Sequence, residues 1–260
     1  MGFISKKLEP LKLAIKHRLR WRFTRKEWFL GRHACLGYDS LGLMSKVPKG
    51  LNFQKGRVDL LLSLLHRASP KPKASTLKGS MQRKDIWPLI KQLEFFDSLP
   101  KKAPKFIFMD SFAELTDQLF RNKRDGWLFA CAYSDINHTP QFENEFESCG
   151  LLALEKLEDH YTQLFEAFSV RWGVVPILFL HFPIALEQRQ LYIDRYQAII
   201  EVIDRLAKRF PNLLPIRIDE SVVDWPDSTT EELKTFPYHY DPKTYEKFKV
   251  ELEKTGLFSK

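Results

Sequence analysis

The stretch EWFLGRHACLGYDSLGLMS, residues 27–45, decides the fold of this chain. It begins with an apolar run over residues 28–30 and then breaks into a polar segment that contains three glycines. An apolar run that ends in such a segment is typical of a buried strand that delivers polar side chains to the edge of a sheet. Because ligands of open α/β sheets bind outside the carboxyl ends of the strands, we predict a first strand and a first active-site loop here.

The rest of the chain alternates short apolar runs with amphipathic segments. We predict strands over residues 106–109, 127–132, 174–180 and 213–218, and helices over residues 58–65, 86–99, 113–122, 151–172, 188–210 and 242–254. This alternation is typical of a parallel sheet with helices on both faces. The expected fold class is therefore α/β, a three-layer domain with a mostly parallel, flavodoxin-like sheet of about five strands. Residues 66–85, rich in Pro, Ser and Lys, are expected to form a surface loop.

The positive charge of the chain is concentrated in its first 26 residues. The net charge is +8, and residues 1–26 contain nine Lys and Arg against one acid, so residues 27–260 are neutral. A nucleic-acid-binding domain carries its basic footprint on the folded body, so we expect no nucleic-acid partner. Apolar residues recur at helical spacing among the bases. We interpret residues 1–26 as a basic amphipathic arm that contacts an anionic membrane surface, or else packs on the α/β domain of residues 27–260 or stays solvated.

The cysteine content and the hydropathy pattern bear on the compartment. The three cysteines are irregularly spaced and form no C-x-x-C pair, which indicates a reducing cytoplasm. No apolar run approaches the roughly 18 residues of a spanning helix, and the N-terminus lacks the apolar centre of a signal peptide. We therefore expect a cytoplasmic protein.

Two polar segments at opposite ends of the chain hold the residues that we expect to do chemistry. Ser40 lies in the first segment, Gly-Tyr-Asp-Ser-Leu, and His239 lies in the second, Pro-Tyr-His-Tyr. A serine is a weak nucleophile unless a histidine held by a carboxylate takes its proton. Asp110, at the end of a predicted strand, is well placed to orient that histidine. Cys35 is a rival nucleophile, which needs a nearby histidine as base.

Further residues complete the predicted site. Gly37 and Asn137 are expected to donate hydrogen bonds to an oxyanion, and Tyr238 is expected to pack on a sugar ring. Three histidines lie near predicted strand ends, but their spacing matches no metal-binding motif, so we expect no metal. They are His33, His138 and His181.

Three of the catalytic candidates also have a purely structural interpretation. Ser40 suits a turn or a helix N-cap, and Cys35 suits a small, buried apolar position. Asp110 suits a cap of the helix that follows it. The third member of a triad stays open among Asp219, Asp224, Asp227 and Asp241 as well as Asp110.

The Gly-Tyr-Asp-Ser-Leu segment and the histidine just before the last helix resemble the SGNH/GDSL hydrolase superfamily. Within it, the stretch Ala34-Cys35-Leu36-Gly37-Tyr38-Asp39 is similar to the first loop of members encoded with bacterial capsule and surface-polysaccharide genes. The resemblance covers most of residues 27–255. It implies an SGNH-like fold, a nucleophile in the first loop and a catalytic histidine at position 239.

The resemblance also implies a function. It indicates acyl-ester chemistry on a carbohydrate, either O-acetyl transfer to a bacterial surface polysaccharide or removal of the acetyl group. A transferase would use acetyl-CoA, whereas an esterase would need no cofactor. A location on the cytoplasmic face of the inner membrane would suit such a substrate. Two departures, Tyr38 inside the GDSL motif and Phe236 in place of the aspartate, support the alternative of a non-catalytic glycan-binding or scaffold protein.

Overall fold

The protein is described here by a computed structural model that covers residues 27–258. Within that range the strands are β1 Trp28–Arg32, β2 Lys49–Asn52, β3 Ile107–Asp110, β4 Asp117–Asn122, β5 Leu128–Ala132, β6 Phe146–Gly150, β7 Ile177–Leu180 and β8 Leu213–Ile216. The α-helices are α1 Cys35–Gly42, α2 Val58–Leu65, α3 Ile86–Gln92, α4 Phe112–Thr116, α5 Pro140–Glu145, α6 Leu157–Trp172, α7 Gln190–Arg209, α8 Glu231–Lys234 and α9 Pro242–Lys254. The predicted basic arm, residues 1–26, lies outside the described residues.

A five-stranded sheet in the order β2-β1-β3-β7-β8 forms the centre of the fold. Every neighbouring pair in it is parallel. Helix α1 packs against α9, whereas α2 packs against α6, which in turn packs against α7, so helices flank the sheet in two groups. The prediction of a three-layer α/β fold is confirmed. The strand order is that of flavodoxin-like sheets, in which the topological switch point lies between β1 and β3.

The membership of the parallel sheet differs from the prediction at one strand. Residues 127–132 were expected in it, but β5 belongs to a separate antiparallel sheet in the order β5-β4-β6. The fifth parallel strand is β2, which the sequence did not reveal. In β2 Lys49 and Gly50 are exposed and only Leu51 is buried, so this edge strand has no apolar run.

The predicted helix over residues 113–122 is also wrong in its second half. Helix α4 ends at Thr116, and the chain continues directly as strand β4. Strand β4 is the centre of the antiparallel sheet and pairs with β5 and β6. It buries Asp117, Leu119 and Phe120, a mixed pattern that has neither a strict period of two nor an apolar run.

A second hydrophobic core lies between the antiparallel sheet and residues 74–90. Its members are Ala74, Leu77, Met81, Ile86, Ile90, Phe120, Trp127, Phe129, Cys131, Ile136, Phe142 and Phe146. Residues 66–85 are therefore more than a surface loop, because their apolar side chains cover one face of the small sheet. Met81 also forms an antiparallel bridge with Ile136.

None of the helices within residues 27–258 combines the length and the apolarity needed to cross a bilayer.

Candidate functional site

A cleft of about 380 Å³ opens beyond the carboxyl ends of β1, β2 and β3. This position includes the switch point between β1 and β3, where open α/β sheets place their ligands. The antiparallel sheet and residues 82–85 close its other side. The cleft is lined by Ala34, Cys35, Tyr38, Gln54, Lys55, Gln82, Arg83, Asp85, Phe112, Ala132, Ser134, Asp135, Phe236 and His239.

Two of the predicted catalytic residues, Cys35 and His239, both line this cleft. Cys35 is the first residue of α1, directly beyond the edge of β1. Its Sγ donates a hydrogen bond to the backbone carbonyl of Tyr238 across 3.3 Å. This contact joins the first loop of the domain to the segment before the last helix, and it brings His239 to the same cleft as the thiol.

The surroundings of Cys35 favour the protonated thiol in the resting protein. Burial raises its pKa to about 12, and the charges of Asp110 and Asp39 act in the same direction. The backbone N–H groups of Cys35 and Leu36 act in the opposite direction, because they face the sulfur from the start of α1. No side chain caps this helix end, so both N–H groups can donate to negative charge that develops beside the sulfur.

His239 has an exposed side chain, and its ring packs against Phe236 at 6.2 Å between centroids. Among residues 27–258 no carboxylate forms a hydrogen bond with it. Three of the aspartates considered as third members of a triad accept from nearby backbone N–H groups instead: Asp219 from Ser221, Asp224 from Trp225 and Asp241 from Thr244. The geometry therefore contains a candidate nucleophile and a candidate base but no orienting acid.

Asp110 does not line the cleft, and its carboxylate forms no hydrogen bond with His239. Its Oδ2 accepts from the Ala34 N–H at 2.6 Å and its Oδ1 from the Phe112 N–H at 3.1 Å. Burial raises the pKa of Asp110 to about 7, although Arg32 and both N–H groups act in the opposite direction. The carboxylate thus ties the start of α1 to the start of α4, which agrees with its capping interpretation and not with a role in orienting the histidine.

Ser40 is not at the cleft. It lies inside α1, its side chain is fully buried, and its Oγ has no partner among the described residues. A hydroxyl that does not reach the cleft cannot attack a substrate there, so Ser40 is withdrawn as the nucleophile. The prediction failed because residues 35–42 form a helix and not a loop, which turns Ser40 inward.

Gly37 and Asn137, the predicted oxyanion donors, do not line the cleft either. Gly37 lies in α1, where a Cβ would be 2.5 Å from the His33 ring, so this glycine makes room for the imidazole. The Asn137 N–H donates to the Ser80 carbonyl at 2.8 Å. Asn137 therefore ties the β5–α5 loop to residues 66–85, and the N–H groups of Cys35 and Leu36 are the better oxyanion donors.

The predicted sugar-packing residue, Tyr238, turns its ring away from the cleft. The ring is buried, and its hydroxyl donates to Glu187 Oε2 at 3.0 Å. The aromatic lining comes instead from Tyr38, Phe112 and Phe236. Tyr38, whose ring is half exposed, lies within residues 27–45, where the sequence pattern marks it only as an interruption of the GDSL motif.

A cluster of charged residues at the same cleft was not among the predicted site residues. The Lys55 ammonium donates to Asp117 Oδ1 at 3.1 Å and to Asp135 Oδ2 at 3.4 Å. Arg83 Nε lies 3.2 Å from Asp135 Oδ1. Asp135 follows the predicted strand over residues 127–132. The rule that polar residues after a strand lie at the ligand-binding edge could therefore have identified it. Lys55 and Arg83 follow elements whose structure the sequence did not reveal.

The three histidines near strand ends, His33, His138 and His181, have different surroundings. The His33 ring is buried against Tyr38 and Phe108, and burial lowers its pKa to about 4. Burial lowers the pKa of His181 to about 3, and His138 Nδ1 lies 2.6 Å from Glu143. Within residues 27–258 no group of three or more potential ligands is arranged to hold a metal ion.

The chain was compared with protein-family models, with curated proteins and with solved structures, and none of them matches it. The resemblance to the SGNH superfamily therefore rests on the short motifs quoted above, and what it implies about activity stays a hypothesis.

Proposed function

We propose that this protein is an acyltransferase or esterase that acts on a carbohydrate, with Cys35 as nucleophile and His239 as base. One observation carries the proposal: residues from opposite ends of the chain, a thiol at the start of a helix and an imidazole, line the same cleft. The cleft is at the switch point of a parallel sheet, where such folds bind their ligands. Of the two nucleophiles that the sequence suggested, only Cys35 lies there.

The chemistry requires His239 to activate a thiol that is protonated at rest. A ring nitrogen of His239 takes the proton from Cys35 Sγ as the sulfur attacks the acyl carbonyl of the donor. The carbonyl oxygen becomes an oxyanion, which accepts hydrogen bonds from the N–H groups of Cys35 and Leu36. Collapse of the intermediate breaks the bond to the leaving group, which receives the proton from His239, and a thioester stays on Cys35.

The second half of the reaction reverses these roles. An acceptor hydroxyl gives its proton to His239, attacks the thioester and leaves with the acyl group, and the sulfur recovers the proton. If the acceptor is a sugar hydroxyl, the protein is a transferase and acetyl-CoA is the expected donor. If the acceptor is water and the donor is an acetylated sugar, the protein is an esterase. The same residues perform both reactions.

The lining of the cleft supports a carbohydrate as substrate. Tyr38, Phe112 and Phe236 offer apolar ring surface, and Gln54 and Gln82 offer amide groups at the same cleft. A sugar ring presents both kinds of surface, C–H faces and hydroxyl edges. Ligand sites commonly combine aromatic surface with a few placed polar groups in this way.

A non-catalytic glycan-binding protein is the second candidate, and specific observations favour it. The pKa of Cys35 is raised by burial, and its thiol donates to a backbone carbonyl instead of to His239. His239 has no carboxylate partner among the described residues. A cleft with these properties could hold a sugar without reacting with it.

Incubation with p-nitrophenyl acetate, and separately with acetyl-CoA, distinguishes the enzyme from the non-catalytic glycan-binding protein. We expect release of p-nitrophenol and an acetylated Cys35 peptide by mass spectrometry, both lost in Cys35→Ala. His239→Ala should slow acetylation by about 10²–10⁴-fold. The matched control is Cys149→Ala, which removes an exposed thiol outside the cleft and should act like the unchanged protein. Absence of acetylation from either donor, with correct folding, would support the binding protein instead.

We further propose that residues 1–26 hold the protein at an anionic membrane surface in the cytoplasm, near the site of polysaccharide synthesis. Their nine bases against one acid support this proposal, since each base near an anionic surface contributes about 1 kcal/mol. Deletion of residues 1–26 should abolish sedimentation with vesicles that contain phosphatidylserine and leave the folding of residues 27–260 unchanged. Unchanged sedimentation would contradict the proposal.

A further inference from the structure

We propose that Lys55, Arg83 and Asp135, which we call the charged wall, form a subsite that binds the hydroxyl groups of a neutral sugar ring. This subsite rests on the proposed function, because that function supplies the sugar as substrate. It assigns sugar recognition to residues that neither the motifs nor the predicted site included. All three side chains line the cleft.

The charged wall is an ordered hydrogen-bonded unit. Asp135 receives one cation on each oxygen, Lys55 at 3.4 Å on Oδ2 and Arg83 at 3.2 Å on Oδ1. The Lys55 ammonium is also held by Asp117 at 3.1 Å. Each carboxylate oxygen can accept a second hydrogen bond, and the ammonium has a third donor. The wall can therefore accept from one hydroxyl and donate to its neighbour without breaking its own contacts.

The balance of charge at the charged wall selects against an anionic group in this subsite. Lys55 and Arg83 carry two positive charges, and Asp117 and Asp135 carry two negative charges against them. A phosphate or carboxylate needs cations that are not already neutralised, and it would meet the carboxylate of Asp135. A neutral ring with adjacent hydroxyls meets matched donors and acceptors instead. The aromatic residues of the same cleft, Tyr38, Phe112 and Phe236, offer apolar surface to the C–H faces of that ring.

Burial of Lys55 and Asp135 is energetically costly, which points to a function beyond stability. Lys55 is only 2% exposed and Asp135 only 6%. Replacement of such buried ion pairs by apolar residues is often neutral or stabilising, so stability alone does not explain their presence at a cleft. Charged groups buried in a cleft are candidates for binding sites on physical grounds.

The backbone holds Arg83 and Asp135 in place before a ligand arrives. The Gln82 N–H donates to the Asp135 carbonyl at 2.8 Å, and the Asn137 N–H donates to the Ser80 carbonyl at 2.8 Å. These bonds fasten residues 80–83 to the loop after β5. A subsite that is already organised loses less entropy on binding.

Saturation-transfer NMR tests the inference without relying on catalysis. The probes are the methyl glycosides of glucose, galactose, mannose and N-acetylglucosamine, each offered to the full chain. The test variant is Arg83→Gln, which removes a charge from a side chain that is 56% exposed and should leave the fold intact. The matched control is Arg124→Gln, which also removes an arginine beside an aspartate but lies away from the cleft and is 87% exposed. Asp135→Asn is a second test variant, with circular dichroism as the check of folding.

We expect at least one glycoside to receive saturation from the unchanged protein and from Arg124→Gln. Its affinity should fall about tenfold or more in Arg83→Gln, since a hydrogen bond to a charged group contributes about 1.5–3 kcal/mol. If no glycoside binds, or if Arg83→Gln binds as the unchanged protein does, the inference is overturned. Cys35→Ala keeps the two proposals distinguishable. Loss of acetylation with retained sugar binding supports both, whereas sugar binding by a chain that never acetylates Cys35 leaves the subsite standing and overturns the catalytic proposal.

Discussion

The Cys35 thiol donates a hydrogen bond to the Tyr238 backbone carbonyl across 3.3 Å, although the two residues are 203 positions apart. The side chain of Tyr238 is fixed in turn by its hydroxyl, which donates to Glu187. The segment that carries His239 is therefore anchored through its backbone to the start of α1 and through the Tyr238 side chain to Glu187. This arrangement places the thiol and the imidazole at one cleft, with the thiol hydrogen-bonded to a carbonyl and not to the imidazole.

Alkylation of Cys35 should be slow at neutral pH. Burial raises the pKa of the Cys35 thiol to about 12, so the reactive thiolate is a minute fraction of the population at pH 7. We expect iodoacetamide to label Cys149, which is exposed, well before Cys35 at pH 7.5. Labelling of Cys35 should accelerate steadily up to pH 11 and beyond. Peptide mass spectrometry after timed quenching measures both rates in one sample, and preferential labelling of Cys35 at pH 6–7 would indicate a preformed thiolate–imidazolium pair.

Asp110 should make stability depend on pH between about 4 and 7. Burial raises the pKa of Asp110 to about 7 in the folded state, against about 3.9 for an unfolded aspartate. The folded protein then binds more protons than the unfolded chain in this window, so the contribution of Asp110 to the free energy of unfolding falls as pH rises through it. Below about pH 4 the contribution is fully present.

The substitution Asp110→Asn isolates this contribution. In the variant, the free energy of unfolding should no longer show the Asp110 contribution to its fall between pH 4 and 7. The variant should also be less stable by about 1–3 kcal/mol, because an amide cannot accept from both the Ala34 and the Phe112 N–H groups. Urea unfolding at intervals of half a pH unit, on the variant and the unchanged protein, gives both quantities. Parallel pH profiles for the two proteins would show that Asp110 does not titrate in this range.

Gly37 should be required for the packing of α1, and Gly42 in the same helix should not. A Cβ at Gly37 would lie 2.5 Å from the His33 ring, which is itself packed against Phe108 and Tyr38. Gly37→Ala should therefore cost about 1–3 kcal/mol of stability through overpacking. Gly42→Ala meets nothing within 4 Å and should stabilise by about 0.4–1 kcal/mol. Thermal unfolding compares the pair, and equal shifts in both variants would contradict the packing argument.

The parts of the fold that follow from local signals were predictable. The helix over residues 242–254 was predicted at the bounds the structure has, since Asp241 caps it and Pro242 opens it. The helix over residues 58–65 was found by its apolar run. In contrast, α1 contains two glycines and weak helix formers, so its stability comes from tertiary contacts that no local pattern shows.

The candidate site, like the fold, was predictable only where a local sequence signal marks a residue. Cys35 and His239 lie where polar residues follow a buried strand or precede a helix, which is a local signal. The orientation of Ser40 depended on the unpredicted helix α1. Lys55 follows an edge strand without an apolar pattern, and Arg83 reaches the cleft only because residues 74–90 pack on a sheet that the sequence did not reveal. Long-range packing decided these positions.

Substitution of Glu114, which lies beneath the cleft, should lower the free energy of unfolding far more than substitution of an exposed ionic residue. Its fully buried carboxylate lies 2.6 Å from Arg32, accepts from the Tyr161 hydroxyl at 2.7 Å and accepts from the Val58 N–H at 2.9 Å. Glu114→Gln keeps the volume but removes the carboxylate that is paired with the buried guanidinium of Arg32, so we expect a loss of about 3–5 kcal/mol.

The control for Glu114 is a surface pair of similar length. Glu166 lies 2.7 Å from Arg209, and both side chains are more than half exposed, so Glu166→Gln should cost less than about 1 kcal/mol. Urea unfolding of the two variants at pH 7 compares the same chemical change at a buried and an exposed site. A double variant, Arg32→Met with Glu114→Leu, should recover much of the lost stability, because it removes both charges at once. If the double variant is less stable than Glu114→Gln, the remaining contacts of Arg32, including the one to the Asp110 carbonyl, stabilise the sheet more than the ion pair does.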